Sequence, residues 1–113
     1  MSWVLAQNAL WRATGLSAAG RAVLRGLDSP DANVRTIAGM LLVRGGARAV
    51  PLLEEAVTAR RGLPLVATLL GDIGDPRARL TLVALAADPD PEVARAARDA
   101  LRALERNLAR PER

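Results

Sequence analysis

The sequence contains no cysteine, histidine, tyrosine or phenylalanine, and all 16 of its basic residues are arginine. Without cysteine the chain has neither a disulfide nor a thiolate metal site, as is common in proteins of a reducing compartment. Without histidine and lysine it has no imidazole base, no Schiff-base lysine and no phosphate-loop lysine. These absences predict a protein that is not an enzyme and that has no cofactor and no metal.

Carboxylates are the remaining groups that could do acid–base or metal chemistry. The close pairs are Glu54 with Glu55, Asp72 with Asp75, and Asp88 with Asp90. The last two pairs fall at turn and helix-cap positions, where a carboxylate is explained by the free backbone N–H groups that it accepts from. We therefore assign no catalytic residue.

Aromatic residues and long apolar runs are also scarce. Trp3 and Trp11 are the only aromatic residues, so the core must consist of Leu, Val, Ile and Ala. The longest uncharged run, residues 1–11, is shorter than the ~20 apolar residues of a membrane span, and it lacks the basic start of a signal peptide. We expect a soluble cytoplasmic protein, in which the two tryptophans cap the open end of the core or contact a membrane surface or a partner.

The charge balance is basic, with a formal net charge of +4 and a sequence pI of about 11.4. Such a balance is typical of proteins that bind nucleic acid. Here an arginine-only composition raises the pI although the net charge is modest. The excess is also local, because residues 1–61 hold eight arginines against four acids and residues 62–113 hold eight against eight.

Local signals predict helices throughout the chain. Ser29 is a good N-cap, Pro30 fits a first helical position, and Gly45-Gly46 is a helix stop. Between them, apolar residues recur at spacings of three and four, which is the period of one buried helical stripe: Val34, Ile37, Ala38, Leu41 and Leu42. The same reasoning predicts helices over residues 3–13, 17–27, 30–44, 47–59, from 64, 76–87 and from 91.

Comparison of the sequence with itself shows a repeat of about 29–30 residues. A shift of 29 places Gly45 on Gly74, and a shift of 59 places Val34 on Val93. Periods of this size are typical of stacked helical hairpins, each unable to bury its apolar face alone. We predict three hairpins, over residues 17–46, 47–74 and 75–106, preceded by a capping helix within residues 1–15 and followed by a frayed tail over 107–113.

Two segments, residues 27–35 (LDSPDANVR) and 87–93 (ADPDPEV), each lead into a helix rich in alanine and leucine. They resemble HEAT-like repeats of the short bacterial kind found in phycobiliprotein lyases, and the resemblance covers about residues 17–106. It implies an all-α fold, an α-solenoid of three HEAT-like helical hairpins with an N-terminal capping helix. The family mostly supplies binding scaffolds, so the fold does not fix an activity.

The resemblance also implies a polar ladder between neighbouring units. In the family, a turn aspartate bonds to an arginine of the second helix. Asp28, Asp88 and Arg35 match these positions, whereas Ala94 and Pro64 stand where further arginines are expected. The implied ladder is therefore incomplete.

The second helices of such hairpins line the concave face of the solenoid, which predicts a strip that binds a protein partner. The strip lies one position beyond the core stripe and runs from apolar to charged: Thr36, Met40, Val43, Leu65, Leu69, Arg95, Arg98 and Arg102. Exposed apolar patches often mark interfaces, here with another protein or a second copy of the chain. If the helical register is one position off, the apolar members of the strip are core instead.

An alternative function is the binding of nucleic acid or another polyanion through arginine. Arg95, Arg98, Arg102 and Arg106 follow one another at spacings of three and four on the last helix and could meet phosphates. The same stripe is explained by a solvated helix face, since Glu92, Asp99 and Glu105 are close enough for intrahelical ion pairs. We expect the protein partner rather than the polyanion.

Overall fold

The computed structural model describes residues 5–6 and 17–109. Trp3, Trp11 and most of the predicted capping helix lie outside the described residues, as does the end of the predicted tail, residues 110–113. From residue 17 onward the α-helices are α1 (Ser17–Arg25), α2 (Ala32–Gly45), α3 (Ala49–Thr58), α4 (Leu63–Ile73), α5 (Arg79–Ala86) and α6 (Pro91–Ala109). No described residue is in a strand, which confirms the all-α part of the prediction.

Helix starts are set by short side chains that accept from the backbone. Asp75 Oδ1 accepts from the N–H of Arg77, and Asp90 Oδ1 accepts from the N–H of Glu92, as the sequence predicts. The predicted N-cap at Ser29 is wrong by two residues. Its Oγ accepts from the N–H of Asp31, and Asp31 in turn caps α2 by accepting from the N–H of Asn33. Two successive caps therefore delay the start of α2 to Ala32.

The helices pack in two rows. Odd-numbered helices touch through polar side chains, Arg21 of α1 on Glu55 of α3 and Glu54 of α3 on Thr81 of α5. Even-numbered helices touch closely, α2 on α4 and α4 on α6, and each also packs on the odd-numbered helix before it in the chain. Each helix supplies one fully buried large side chain to the common core: Val23, Leu42, Leu53, Leu70, Leu82 and Leu104.

The closest helix contact is between α4 and α6. A Cβ on Gly71 would lie 2.6 Å from the carbonyl oxygen of Ala100, so the two backbones approach to a distance that only glycine allows. Further along, the Asn107 amide donates to the carbonyl oxygen of Gly71 at 3.2 Å. The predicted fraying from residue 107 is therefore wrong for residues 107–109, because this amide ties the last turns of α6 to the end of α4.

Ion pairs link the turns that precede the even-numbered helices. Arg61, in the turn before α4, pairs with Asp28 in the turn before α2. Its neighbour Arg60 places Nη2 3.0 Å from Oδ1 of Asp88 in the turn before α6. Three turns are thus joined in a row by adjacent arginines that reach in opposite directions.

Arg35 does not bond to a turn aspartate, so its predicted place in the polar ladder is wrong. Its Nη1 donates to the backbone carbonyl oxygen of Ser29 at 2.7 Å, which satisfies the loop just before its own helix. The aspartates Asp28 and Asp88 are linked to neighbouring units as expected, but through arginines of the turn between them. Sequence alone did not identify Arg60 and Arg61, because the expected partner was on a helix.

The pKa values of two turn carboxyls are lowered. For Asp88, the largest cause is the hydrogen bond from the backbone N–H of Asp90, and the Arg60 guanidinium adds to it. For Asp75, the side chain of Arg77 is the largest cause, followed by the backbone N–H of the same residue. A pKa that is lower in the folded than in the unfolded chain favours folding while the carboxyl is ionised, which holds above about pH 4.

We therefore expect stability to fall as pH drops below about 4, because these two carboxyls must then be protonated. Urea midpoints measured from pH 7 to pH 2 test this. Replacing Asp88 by Asn should reduce the fall, since the amide oxygen can still accept from Asp90 but does not titrate. Glu92→Gln is the control, because the Glu92 side chain has no partner in the described chain. A D88N protein with the same acid-induced loss as the parent would contradict the assignment.

One segment, Ala32–Thr58, meets the length and composition of a membrane-crossing helix by itself. It consists of α2 and α3 with the 3-10 turn Gly46–Arg48 between them. Of its apolar window 44% is buried inside the protein, and the core helices of folded domains pass the same test of length and composition. The segment is thus weak support for membrane insertion.

Candidate interaction surface

The even-numbered helices present two adjoining grooves on one face of the protein. The first, which we call the apolar groove, has a volume of about 470 Å³ and lies between α2 and α4. Its walls include Thr36, Met40, Val43, Leu65, Thr68 and Asp72. The second, which we call the arginine groove, has a volume of about 790 Å³, lies between α4 and α6, and includes Pro64, Glu92, Arg95, Arg98 and Asp99. Leu65 and Thr68 line both grooves, so the two form one continuous surface.

The apolar groove exposes large side chains that a solvated helix surface rarely carries. Met40 is 54% exposed and Leu65 is 40% exposed, while Val43 is half-buried against the core. Polar residues Thr36, Thr68 and Asp72 lie beside them and are exposed. The sequence-predicted strip therefore provides an accessible apolar surface on α2 and the first turn of α4.

Leu69 is the exception, and its place in the exposed strip is wrong. It is 6% exposed and belongs to the core. The reason is that α4 lies between α2 and α6, so a wider arc of its surface is covered than on a helix with one neighbour. Leu69 lies over Gly39 of α2, where its Cδ2 would be 3.5 Å from a Cβ placed on the glycine.

The arginines in and beside the arginine groove differ from one another in whether they are paired with an acid. Arg95, Arg98 and Arg102 are all exposed. Arg102 Nη2 is 3.0 Å from Asp99 Oδ1, so both of these charges are largely compensated. Arg95 and Arg98 have no hydrogen bond or ion pair to any residue in the described chain. They are the two guanidinium groups that line the groove and are available to a partner.

A smaller cavity of about 260 Å³ lies between α1, α3 and α4, and most of its arginines are paired, unlike Arg95 and Arg98. Its walls are also apolar, but two of the arginines on its rim are held in place. Arg21 bonds to Glu55 through Nε and Nη2, and Arg61 pairs with Asp28. These bonds hold two of the three arginines that line this cavity, whereas neither Arg95 nor Arg98 is held in the arginine groove.

The structure also shows what reasoning from the sequence missed. Arg35 and Arg44 line the apolar groove, and Pro64 and Pro91 line the arginine groove. Leu80 and Val83 of α5 form a separate exposed apolar pair, with Leu80 82% exposed. Their spacing of three was the available signal, but α5 was assigned from its cap alone.

No group of three or more acidic residues in the described ranges is placed to hold a metal ion. No protein-family model matches the chain, and neither a curated protein nor a solved structure matches it. Inference about function therefore depends on the two grooves and on the residues that line them.

Proposed function

We propose that this chain is a non-enzymatic protein-binding module whose partner lies across the apolar and arginine grooves. The observation that supports this most directly is the joint exposure of Met40 and Leu65 in a groove bounded by two packed helices. Apolar side chains in such a position lose contact with water when a partner binds, which is the largest favourable term in most protein association. The predicted role of Thr36, Val43, Arg95, Arg98 and Arg102 as contacts remains part of the proposal.

The architecture we propose is an α-solenoid of three HEAT-like hairpins, α1–α2, α3–α4 and α5–α6. Two features support it: the alternation of the helices between two rows, and the row of turns joined by Arg60 and Arg61. In a stack of this kind the helices of one row share one face, so a partner can contact α2, α4 and α6 together. The units proposed are residues 17–46, 47–74 and 75–106, with residues 107–109 added to the last helix.

The test is a capture experiment with extract of the source cells and a matched set of variants. Met40→Asp with Leu65→Asp places two unpaired charges in the apolar groove and should lower partner capture by about tenfold or more. Leu80→Asp is the control, because Leu80 is more exposed than either residue but lies on α5, outside both grooves. Thermal melts of all three proteins confirm that each is folded.

The alternative, binding of a polyanion, predicts a different result in the same experiment. A nucleic acid would be captured in a nuclease-sensitive, strongly salt-dependent way and would be retained by the M40D/L65D protein. A protein that the parent and L80D capture and that M40D/L65D loses supports the proposal. If the three proteins capture the same set of proteins, the binding surface is not in these grooves.

A further inference from the structure

We infer that the segment recognised by the two grooves is a short acidic amphipathic peptide, with apolar side chains in the apolar groove and carboxylates on Arg95 and Arg98. This inference rests on the proposed function and specifies the chemistry of its partner. It follows from three observations: the adjacency of the grooves, the different chemistry of their walls, and the state of the arginines in the second.

Charge complementarity determines the sign of the partner. Where arginines elsewhere on the surface reach a carboxylate, the charges are matched within the chain, as in Arg21 with Glu55 and Arg79 with Glu105. Arg95 and Arg98 are left open within the described chain although Asp99 is near, because Asp99 is already paired with Arg102. Glu92 is the other acid in this groove, so with Arg102 beside the groove three arginines face two acids, an excess of one positive charge. Guanidinium groups bind carboxylates in a bidentate geometry, which makes glutamate and aspartate side chains suitable ligands.

The shared wall makes one ligand a better fit than two. Leu65 and Thr68 line both grooves, so a chain that leaves the apolar groove enters the arginine groove directly. Met40, Val43 and Leu65 would contact its apolar end, and Arg95 and Arg98 its acidic end. A uniformly charged polyanion would leave Met40 and Leu65 in contact with water or with phosphates. Its binding would therefore gain no free energy from the burial of these two apolar side chains.

The geometry bounds the length of the segment. Packed helices lie about 8–10 Å apart, so the path from α2 across α4 to α6 is roughly 16–20 Å. A helical segment rises about 1.5 Å per residue and covers this path in about 11–13 residues. Amphipathic helices placed in a groove between helices are a common mode of peptide recognition.

The experiment uses a synthetic peptide of about a dozen residues, with leucines on one face of the first half and glutamates in the second half. A second peptide has lysine for glutamate, and a third has serine for leucine. Binding to the full chain is measured by fluorescence anisotropy. We expect the leucine–glutamate peptide to bind. The dissociation constants of the other two peptides should be higher by a factor of at least about ten.

Charge reversal in the protein supplies the decisive comparison. Arg95→Glu with Arg98→Glu should weaken binding of the leucine–glutamate peptide by about tenfold. The same variant should bind the lysine peptide more tightly than the parent protein does. Arg25→Glu with Arg48→Glu changes the net charge equally at exposed arginines outside the two grooves and should behave as the parent. If R95E/R98E does not fold, Arg95→Gln with Arg98→Gln tests the loss of the two positive charges without adding repulsion between new carboxylates and the peptide.

The results separate this inference from the proposed function. Failure of the leucine–glutamate peptide to bind, or equal binding of the serine peptide or of a single-stranded oligonucleotide, would overturn the inference. A natural partner whose capture is lost in M40D/L65D but unchanged in R95E/R98E would leave the proposed function intact and show that the arginines take no part. Capture unchanged in both variants would reject the two together.

Discussion

Replacing Leu69 by Asp is expected to unfold the domain or to lower its free energy of unfolding by at least about 3–5 kcal/mol. Leu69 is 6% exposed and packs between α4 and α2, so the substitution removes a buried side chain and leaves a carboxylate without a partner. A loss of this size is a large part of the roughly 5–15 kcal/mol that stabilises a typical domain. Urea denaturation followed by circular dichroism measures it.

The control for this experiment is Met40→Asp on the neighbouring helix. Met40 is 54% exposed, so the new carboxylate stays in water and the cost should be about 1 kcal/mol or less, mostly from helix propensity. The two residues belong to one strip in the sequence, and the experiment asks whether the structure separates them correctly. Similar losses for both would mean that Met40 is also buried, and the apolar groove would lose its main exposed residue.

Replacing Gly71 by Ala is expected to destabilise the protein by about 1–3 kcal/mol. The new Cβ would lie 2.6 Å from the carbonyl oxygen of Ala100 and 2.8 Å from its Cα, so the α4 and α6 backbones would have to move apart. This loss opposes the gain of up to about 1 kcal/mol that alanine brings to a helix interior. The change in urea midpoint therefore reports directly on the closest helix contact of the fold.

Gly39→Ala is the matched substitution, also in a helix and also at a buried glycine. Its Cβ would lie 3.5 Å from Leu69 Cδ2 and 3.9 Å from Leu27 Cδ2, which is ordinary contact. Here the propensity gain should dominate, and we expect stabilisation by about 0.5–1 kcal/mol. The two glycines should thus shift the midpoint in opposite directions, and a stabilising G71A would show that α4 and α6 are further apart than described.

The candidate surface was predictable in part. Met40, Leu65, Arg95, Arg98 and Arg102 are exposed as expected, because each lies one helical position beyond the buried stripe of its own helix. The prediction that Leu69 is exposed was wrong because the width of the buried arc depends on how many helices pack against a helix. The number of neighbouring helices cannot be predicted from a local sequence pattern. The binding role of all these residues stays a prediction until the capture experiment is done.

The sequence by itself determined the features that arise within a few residues of the chain. Capping by Asp75 and Asp90, the helix stop at Gly45-Gly46 and the apolar stripe of α2 all depend on hydrogen bonds or spacings along one helix, so a local pattern predicts them. The period of about 29–30 residues likewise states that the units are alike, though not how they contact one another.

Tertiary structure decided every feature that joins residues distant in sequence. Arg61 reaches Asp28 across 33 residues of sequence and Arg60 reaches Asp88 across 28, whereas Arg35, the partner that the resemblance implied, bonds locally to Ser29. The close approach of α4 and α6 left Arg95 and Arg98 beside Leu65, which forms the continuous surface of two grooves. Spacing sets which residues share a helix face, but only packing sets which faces meet, because the partner of a side chain depends on the distances between helices.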